Sequence, residues 1–205
     1  MTKIVETNVK GNFNPSYKNR EIKQRPRKEK MIIDSSDTEQ SKLSIGLRYV
    51  DLTEFERKYV SLVYNSVLGG GWNSKLNMVV REENSLCYYI YAQRKIPFNV
   101  AIIKSGIDKG DVDKAIELIR QQMELMKTDV SEADIQRVKD TYNNALMQIE
   151  DNQDSITDNV VSEVLSDTDS VEERRNNMNK VTCEDVMNMA NKVYLDTIYL
   201  LKGGD

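Results

Sequence analysis

The sequence predicts an α+β fold, in which an antiparallel or mixed sheet is covered on one face by helices. Residues 43–49 alternate apolar and polar side chains, the pattern of a strand with one buried face. Two β-rich apolar runs, 86–94 and 98–106, flank a short connection containing Pro97, which indicates a hairpin. Helical patterns then dominate from residue 112 to 193. Strands therefore occur in pairs rather than in regular alternation with helices, which favours α+β over a parallel α/β sheet.

The expected order of elements is ββααββααααβ. The apolar run Met31–Ile33 and the strand 43–49 are predicted to pair as a hairpin, and residues 197–202 form the last strand. Both strands of the 86–106 hairpin are apolar on both faces, which favours central positions in the sheet. Three helix starts carry capping-box patterns, at Thr53/Glu56, Ser131/Asp134 and Thr182/Asp185.

Apolar side chains recur at helical spacing and define the predicted core face of each helix. Representative positions are Tyr59, Val63, Val67, Leu76, Val80, Ala115, Ile116, Ile119, Met123, Ile135, Val138, Tyr142, Ile156, Val160, Val186, Met189 and Val193.

Composition excludes several classes of function. The chain has 205 residues, 29 Lys and Arg against 33 Asp and Glu, and no histidine. Catalytic triads, histidine general bases and histidine zinc sites are therefore excluded. The two cysteines, Cys87 and Cys183, are too few for a disulfide framework, so we expect free thiols and a cytoplasmic location. No apolar run approaches the roughly 20 residues that a membrane helix needs, so we expect no membrane partner.

Charge divides the chain into two regions. Residues 1–30 carry nine Lys or Arg and three Glu, and we interpret them as a basic linker or arm from a preceding half, with the folded domain at 31–205. Few aromatic residues interleave with these charges, as single-strand nucleic-acid binding would require, so we expect no nucleic-acid partner. Residues 150–170 hold seven acids without the order of a calcium loop, and are predicted to be a solvated helix face.

A glycine-rich segment, Leu68-Gly-Gly-Gly-Trp-Asn-Ser-Lys-Leu76, interrupts the helical pattern. It does not fit a phosphate-binding loop, because it follows a helix and not a strand. Two interpretations stay open: a helix break with a new cap, or a loop that lets substrate approach an open backbone.

Arg81 and Tyr88 flank a predicted turn between a helix and a strand. If the turn brings them together, the guanidinium fork and the phenol could polarise a carbonyl or hold an oxyanion. The alternative is an Arg81 paired with Glu82 or Glu83 and a Tyr88 packed in the sheet. Spacing alone does not separate the two.

These segments resemble a hallmark of the pitrilysin/insulinase-type zinc metallopeptidases, which include mitochondrial-processing-peptidase-like proteins. The typical pattern is L-G-G-G-x-x-S-[KR]-L followed by [LV]-R-E-x-x-x-L-x-Y, here residues 68–76 and 80–88. Ser105-Gly-Ile-Asp108 and residues 131–139 resemble two further segments, and the resemblance covers roughly residues 30–201.

The resemblance implies the non-metal-binding half of a clamshell subunit that encloses an unfolded peptide. It implies that Arg81 binds the substrate backbone, that Tyr88 stabilises the oxyanion, and that peptide contacts lie along the glycine loop, at Gly69, Gly70, Gly71, Asn73 and Ser74. No metal or other cofactor is expected in this chain, since the inverted motif H-x-x-E-H needs two histidines. Zinc is expected only in the partner half.

The implied partners are a peptide substrate and an N-terminal half or catalytic partner subunit, and a homodimer is also open. We expect this chain alone not to hydrolyse peptides. Its function would be that of a substrate-binding half of a zinc-dependent peptidase or peptidase-like protein. The alternative is a catalytically inactive subunit, or an assembly module of the same fold that acts through protein–protein contacts.

Overall fold

A computed structural model describes residues 22–166 and 168–203. The strands are β1 (Lys30–Ser35), β2 (Ser41–Tyr49), β3 (Cys87–Lys95), β4 (Val100–Ile107) and β5 (Val193–Lys202). The helices are α1 (a π-helical turn, Glu56–Val60, continuing as Ser61–Gly69), α2 (π-helical, Asn77–Glu83), α3 (Val112–Leu125), α4 (Glu132–Asp151), α5 (Gln153–Ser166), α6 (Val171–Lys180) and α7 (Cys183–Ala190).

The described strands form one mixed sheet in the order β1-β5-β2-β4-β3, in which only β1 and β5 run parallel. The predicted α+β class is confirmed. Strand β2 shows the predicted alternation, because Leu43, Ile45 and Leu47 are buried under the helices while Lys42 on the opposite face is exposed. An apolar core lies between the sheet and the described helices.

The predicted hairpin between the first two strands is wrong. Strand β1 pairs in parallel with β5, with Met31 beside Ile198 and Ile33 beside Leu200, while β2 pairs with β5 and β4. A short apolar run does not specify which strand it pairs with. The apolar side chains of β5 are as suitable neighbours for β1 as those of β2. All six residues of β1 are exposed, so this strand is a solvent-exposed edge of the described sheet.

The hairpin of β3 and β4 is confirmed, but the central position predicted for both strands is wrong for β3. Strand β4 lies between β2 and β3, whereas β3 forms an edge of the described sheet. Tyr89 and Tyr91 are about two-fifths exposed on the face away from the helices, with their rings 6.0 Å apart. Aromatic side chains raise β propensity on a half-exposed face as well as in a core, which made the run look fully buried.

The three predicted capping boxes are present, with mutual bonds at Thr53/Glu56, Ser131/Asp134 and Thr182/Asp185. Helix α6 was absent from the predicted order because its sequence, VEERRNNMNK, places only Met178 in the core. Val193, predicted on a helix, begins β5 and is buried there. None of the described helices is long and apolar enough to span a membrane.

Part of the basic segment lies against the sheet. Gln24 pairs with Val50 as an isolated parallel bridge and receives a hydrogen bond from Arg48, and Glu29 pairs with Arg120 of α3. Residues 1–21, which hold the rest of the predicted arm, lie outside the described residues. In the acidic segment, Asp169 forms an ion pair with Lys58, while Asp151, Asp154 and Asp158 are exposed as predicted.

Candidate functional site

The glycine segment ends α1, where the helix lies directly against strand β3. A Cβ at Gly69 would lie 2.8 Å from the Ala92 Cβ of β3, and a Cβ at Gly70 would lie 2.5 Å from the Ser66 Cα. Gly71 faces open space. Packing therefore requires glycine at the first two positions, and a peptide could contact Gly71 more easily than the buried Gly69.

Polar side chains fix the loop that follows. Ser74 is buried and its hydroxyl donates to the Gly71 carbonyl at 2.6 Å. The Arg137 guanidinium of α4 donates to the Asn73 carbonyl at 3.3 Å, and the Asn77 amide donates to the Trp72 carbonyl at 2.8 Å. The side chain of Ser74 is therefore engaged within the loop, whereas Asn73 is exposed.

Arg81 lies in the π-helical α2, a widened helix type that is frequent at functional sites. Its Cζ atom lies 4.5 Å from the centre of the Trp72 ring, and one of its nitrogens lies 3.4 Å from a Glu82 carboxylate oxygen. The pairing with Glu82 that the sequence left open is thus present. Glu82 is about half exposed, so this contact is weak and solvent-screened.

The turn from α2 into β3 brings Tyr88 to the surface. Ser85 has a left-handed backbone (φ 53°), and the N–H of Leu86 donates to the Val80 carbonyl at 3.0 Å. Cys87 then pairs with Ile107 and Tyr89 with Gly106, so Tyr88 is an extra residue in a bulge. Bulges redirect side chains at the ends of strands. Tyr88 is 65% exposed, and is not packed in the sheet.

Arg81 and Tyr88 line the same open hollow of about 380 Å³ at the end of the sheet. The lining of this hollow is mostly polar. Its other lining residues are Glu82, Ser85, Leu86, Cys87 and Asp108. Burial raises the pKa of the Cys87 thiol, although the nearby Arg81 charge lowers it in part. The thiol is therefore protonated and uncharged at neutral pH. The hollow thus offers a guanidinium and a phenol to a polar ligand.

Comparison with known proteins places this geometry in a family. The family described as "Peptidase M16 inactive domain" matches residues 3–142. The chain belongs to this family. The resemblance to the non-metal-binding half of a zinc metallopeptidase, drawn from the motifs at 68–76 and 80–88, is thereby confirmed.

Relatives of this M16 inactive domain differ in their described activity. The "Probable inactive metalloprotease YmfF" of Bacillus subtilis (strain 168) is 32% identical over 177 residues, which are 85% of this chain and 41% of the relative. The "Uncharacterized zinc protease YmxG" of the same organism is 26% identical over 165 residues, 78% of this chain and 40% of the relative. The M16 inactive domain therefore spans about two-fifths of the length of these curated relatives.

A solved structure shows the same fold. A conserved protein from Enterococcus faecalis V583 superimposes with a TM-score of 0.80 at 23% identity, covering 89% of this chain and 44% of that one. The five-stranded mixed sheet with its helical layer is thus the fold of this M16 inactive domain.

The described residues of this M16 inactive domain do not fit a zinc ion. The sequence has no histidine, and the described ranges 22–166 and 168–203 contain no cluster of three Cys, Asp or Glu side chains that could hold a metal. Structural and catalytic zinc sites are built from such clusters.

Two residues of the site were missed by sequence reasoning. Trp72 packs on Arg81, and Asp108 lines the hollow. The signal for Trp72 was its status as the sole tryptophan, placed in a polar loop where it has little to pack against. The signal for Asp108 was the segment Ser105–Asp108, which ends β4 beside the start of β3.

Proposed function

We propose that this chain is the substrate-binding, non-metal-binding half of a zinc-dependent peptidase or peptidase-like protein that acts on unfolded peptides. The observation that carries the proposal is the shared hollow, which is lined by both the exposed Tyr88 and the partly exposed Arg81. The zinc site would be held by another half or subunit, opposite this hollow.

Arg81 would bind a backbone carbonyl of the peptide. A guanidinium presents several N–H donors in a plane, and the solvent-screened contact with Glu82 leaves donors available. Trp72 limits the directions that the side chain samples, because the ring occupies one face of the guanidinium. A partly immobilised donor loses less conformational entropy when peptide binds.

Tyr88 would donate its phenolic hydrogen to the oxyanion that develops during peptide cleavage. Such donors act when they are fixed where negative charge develops. The bulge between Cys87 and Tyr89 supplies that fixed position at the end of β3, because both flanking residues remain paired with β4.

The peptide would lie in extended form beside β3. This strand is an edge of the described sheet, and an edge can pair with a further strand through main-chain hydrogen bonds, although the Ala92 carbonyl already accepts from the Asn65 side-chain amide. Main-chain pairing of this kind accepts many sequences, which suits a protein that handles unfolded peptides.

Peptide binding by the full 205-residue chain tests this proposal without any partner. The fluorescence anisotropy of a fluorescein-labelled unstructured peptide should rise when the chain is added. Arg81→Ala should weaken the peptide affinity roughly 10- to 100-fold, the range for a charge-assisted hydrogen bond. Arg120→Ala is the matched control, because Arg120 is exposed and does not line the hollow. Equal losses in both variants, or no binding at all, would reject the proposal.

A second candidate is a catalytically inactive subunit or assembly module of the same fold. The description of the 32% identical relative as a probable inactive metalloprotease favours it. The two candidates differ once the chain is combined with a partner half that carries H-x-x-E-H. Stable assembly on a sizing column with no cleavage of a bound peptide supports the assembly role, whereas cleavage supports the peptidase role.

A further inference from the structure

We propose that the groove between α1, the glycine loop and α4 is a subsite for one bulky apolar side chain of the bound peptide. This inference rests on the proposed peptide-binding function and adds a preference to it: an aromatic or large aliphatic residue next to the position that Arg81 holds.

The groove has the size and lining of such a subsite. It is an open groove of about 450 Å³, and Leu62, Trp72, Val138 and Ala145 are the apolar side chains of its lining. Small-molecule and side-chain pockets are typically concave, largely apolar and of a few hundred Å³. The lining also includes polar side chains such as Asn73, Arg137 and Tyr142, but most of its exposed surface is apolar, so an apolar side chain would leave water on entering.

Trp72 makes the groove continuous with the hollow of Arg81 and Tyr88. The Trp72 side chain is 70% exposed and lines the groove, while its ring lies 4.5 Å from the Arg81 Cζ atom that lines the hollow. An extended peptide advances about 3.3 Å per residue. A peptide carbonyl bound at Arg81 therefore brings an adjacent side chain to the Trp72 ring.

The groove is formed before any ligand arrives. Arg137 of α4 ties the loop by its bond to the Asn73 carbonyl, and Asn77 of α2 ties it by its bond to the Trp72 carbonyl. A preformed groove loses little ordering entropy on binding. A long flexible loop would lose more conformational entropy when it bound the same side chain.

Charge at the groove does not favour an acidic side chain. Arg137 is the cation that lines it, and its guanidinium lies 2.5 Å from the Asp134 carboxylate in the same helix. An acidic peptide residue would compete with an existing ion pair. Selection therefore falls to shape and apolar contact.

The test uses two fluorescein-labelled peptides that differ only in one residue, Phe or Ala, with the full 205-residue chain. We expect the Phe peptide to bind about 10- to 100-fold more tightly, as burial of one aromatic side chain implies. Ala145→Leu fills the groove from α4 and should remove this preference, so that the Phe and Ala peptides bind with equal affinity. Ala133→Leu is the matched control, since Ala133 is exposed on the same helix and does not line the groove.

The outcomes separate the subsite from the peptide site itself. Equal binding of the two peptides, with loss of both in Arg81→Ala, would overturn the subsite and leave the proposed function intact. A Phe preference that survives Ala145→Leu would place the subsite elsewhere and overturn the assignment. Failure of wild-type protein to bind either peptide would overturn both proposals together.

Discussion

The Cζ atom of Arg81 lies 4.5 Å from the centre of the Trp72 ring, so the glycine loop and α2 meet through a cation–π contact. The contact couples the loop to the side chain that is proposed to bind peptide. Because both groups are partly exposed, it stabilises the fold by only about 0.5–1 kcal/mol. Its main consequence is positional, since the ring restricts the guanidinium.

Removal of the guanidinium should expose one face of the tryptophan ring. We expect Arg81→Ala to increase acrylamide quenching of Trp72 and to lower the free energy of unfolding by no more than about 1 kcal/mol. Trp72 is the sole tryptophan of the chain, so its emission reports this site alone. Arg120→Ala should leave quenching unchanged, and equal quenching in wild type and Arg81→Ala would show that the contact does not persist in solution.

The sequence predicted the class of the fold, because alternation in β2 and helical spacing in α3 and α4 are local patterns. Strand pairing was predicted correctly for β3 and β4, which a short connection joins, and wrongly for β1 and β2. The parallel partner of β1 lies more than 150 residues away, from Lys30 to Thr197, and no local rule selects it.

For the candidate site, the sequence predicted that Arg81 and Tyr88 flank one turn, but not the geometry that brings them to one hollow. The bulge at Tyr88 and the left-handed Ser85 depend on backbone geometry that the residue types do not announce. The Trp72–Arg81 contact joins a loop to a helix nine residues on, outside the three- or four-residue spacings from which side-chain pairs on a helix are inferred. The roles assigned to Arg81, Tyr88 and the glycine loop stay predictions.

Ser85 should tolerate replacement by glycine with a gain in stability. Its φ of 53° costs an ordinary residue about 1 kcal/mol that glycine avoids, and the side chain is exposed. We expect Ser85→Gly to raise the free energy of unfolding by about 0.5–1 kcal/mol in urea titrations, less than the full cost because glycine also makes the unfolded chain more flexible. Ser85→Ala should give no such gain. A lower stability in Ser85→Gly would contradict the left-handed turn before Tyr88.

Gly69 should not accept a methyl group. A Cβ there would lie 2.8 Å from the Ala92 Cβ and 2.9 Å from the Ala92 backbone nitrogen, neither of which can move freely. Overpacking of this kind costs about 1–3 kcal/mol, so Gly69→Ala should lower the urea midpoint accordingly. Gly110→Ala is the control, because a Cβ there meets open space and should be neutral or slightly stabilising. Equal effects would mean that α1 does not approach β3 so closely.

Asp169 should contribute stability that depends on pH. Burial works against its charge, but hydrogen bonds from Lys58 and Tyr59 outweigh burial and hold the pKa of Asp169 below its ordinary value of 3.8. A carboxylate with a lowered pKa stabilises the fold above that ordinary value, and the contribution is lost as pH falls below it. We expect Asp169→Asn to destabilise by about 1–3 kcal/mol at neutral pH, and by less at about pH 3.

Urea titrations of wild type and Asp169→Asn at both pH values measure this difference. Asp158→Asn is the matched control, because Asp158 is exposed on α5 and its replacement should change little at either pH. A difference between wild type and Asp169→Asn that stays constant with pH would exclude the Lys58–Asp169 pair as its source.

Tyr88 should affect turnover and not folding. Because the side chain is 65% exposed, Tyr88→Phe should leave the free energy of unfolding within about 0.5 kcal/mol of wild type. In an assembly with a half that carries H-x-x-E-H, loss of one oxyanion donor should lower kcat about 100-fold. Peptide affinity should change little, because the donor acts on charge that develops only during the reaction. Tyr91→Phe, on the same strand but outside the hollow, should keep full kcat. If Tyr88→Phe and Tyr91→Phe cleave peptide at the wild-type rate, the hydroxyl of Tyr88 takes no part in catalysis, and the bulge serves only to turn the chain.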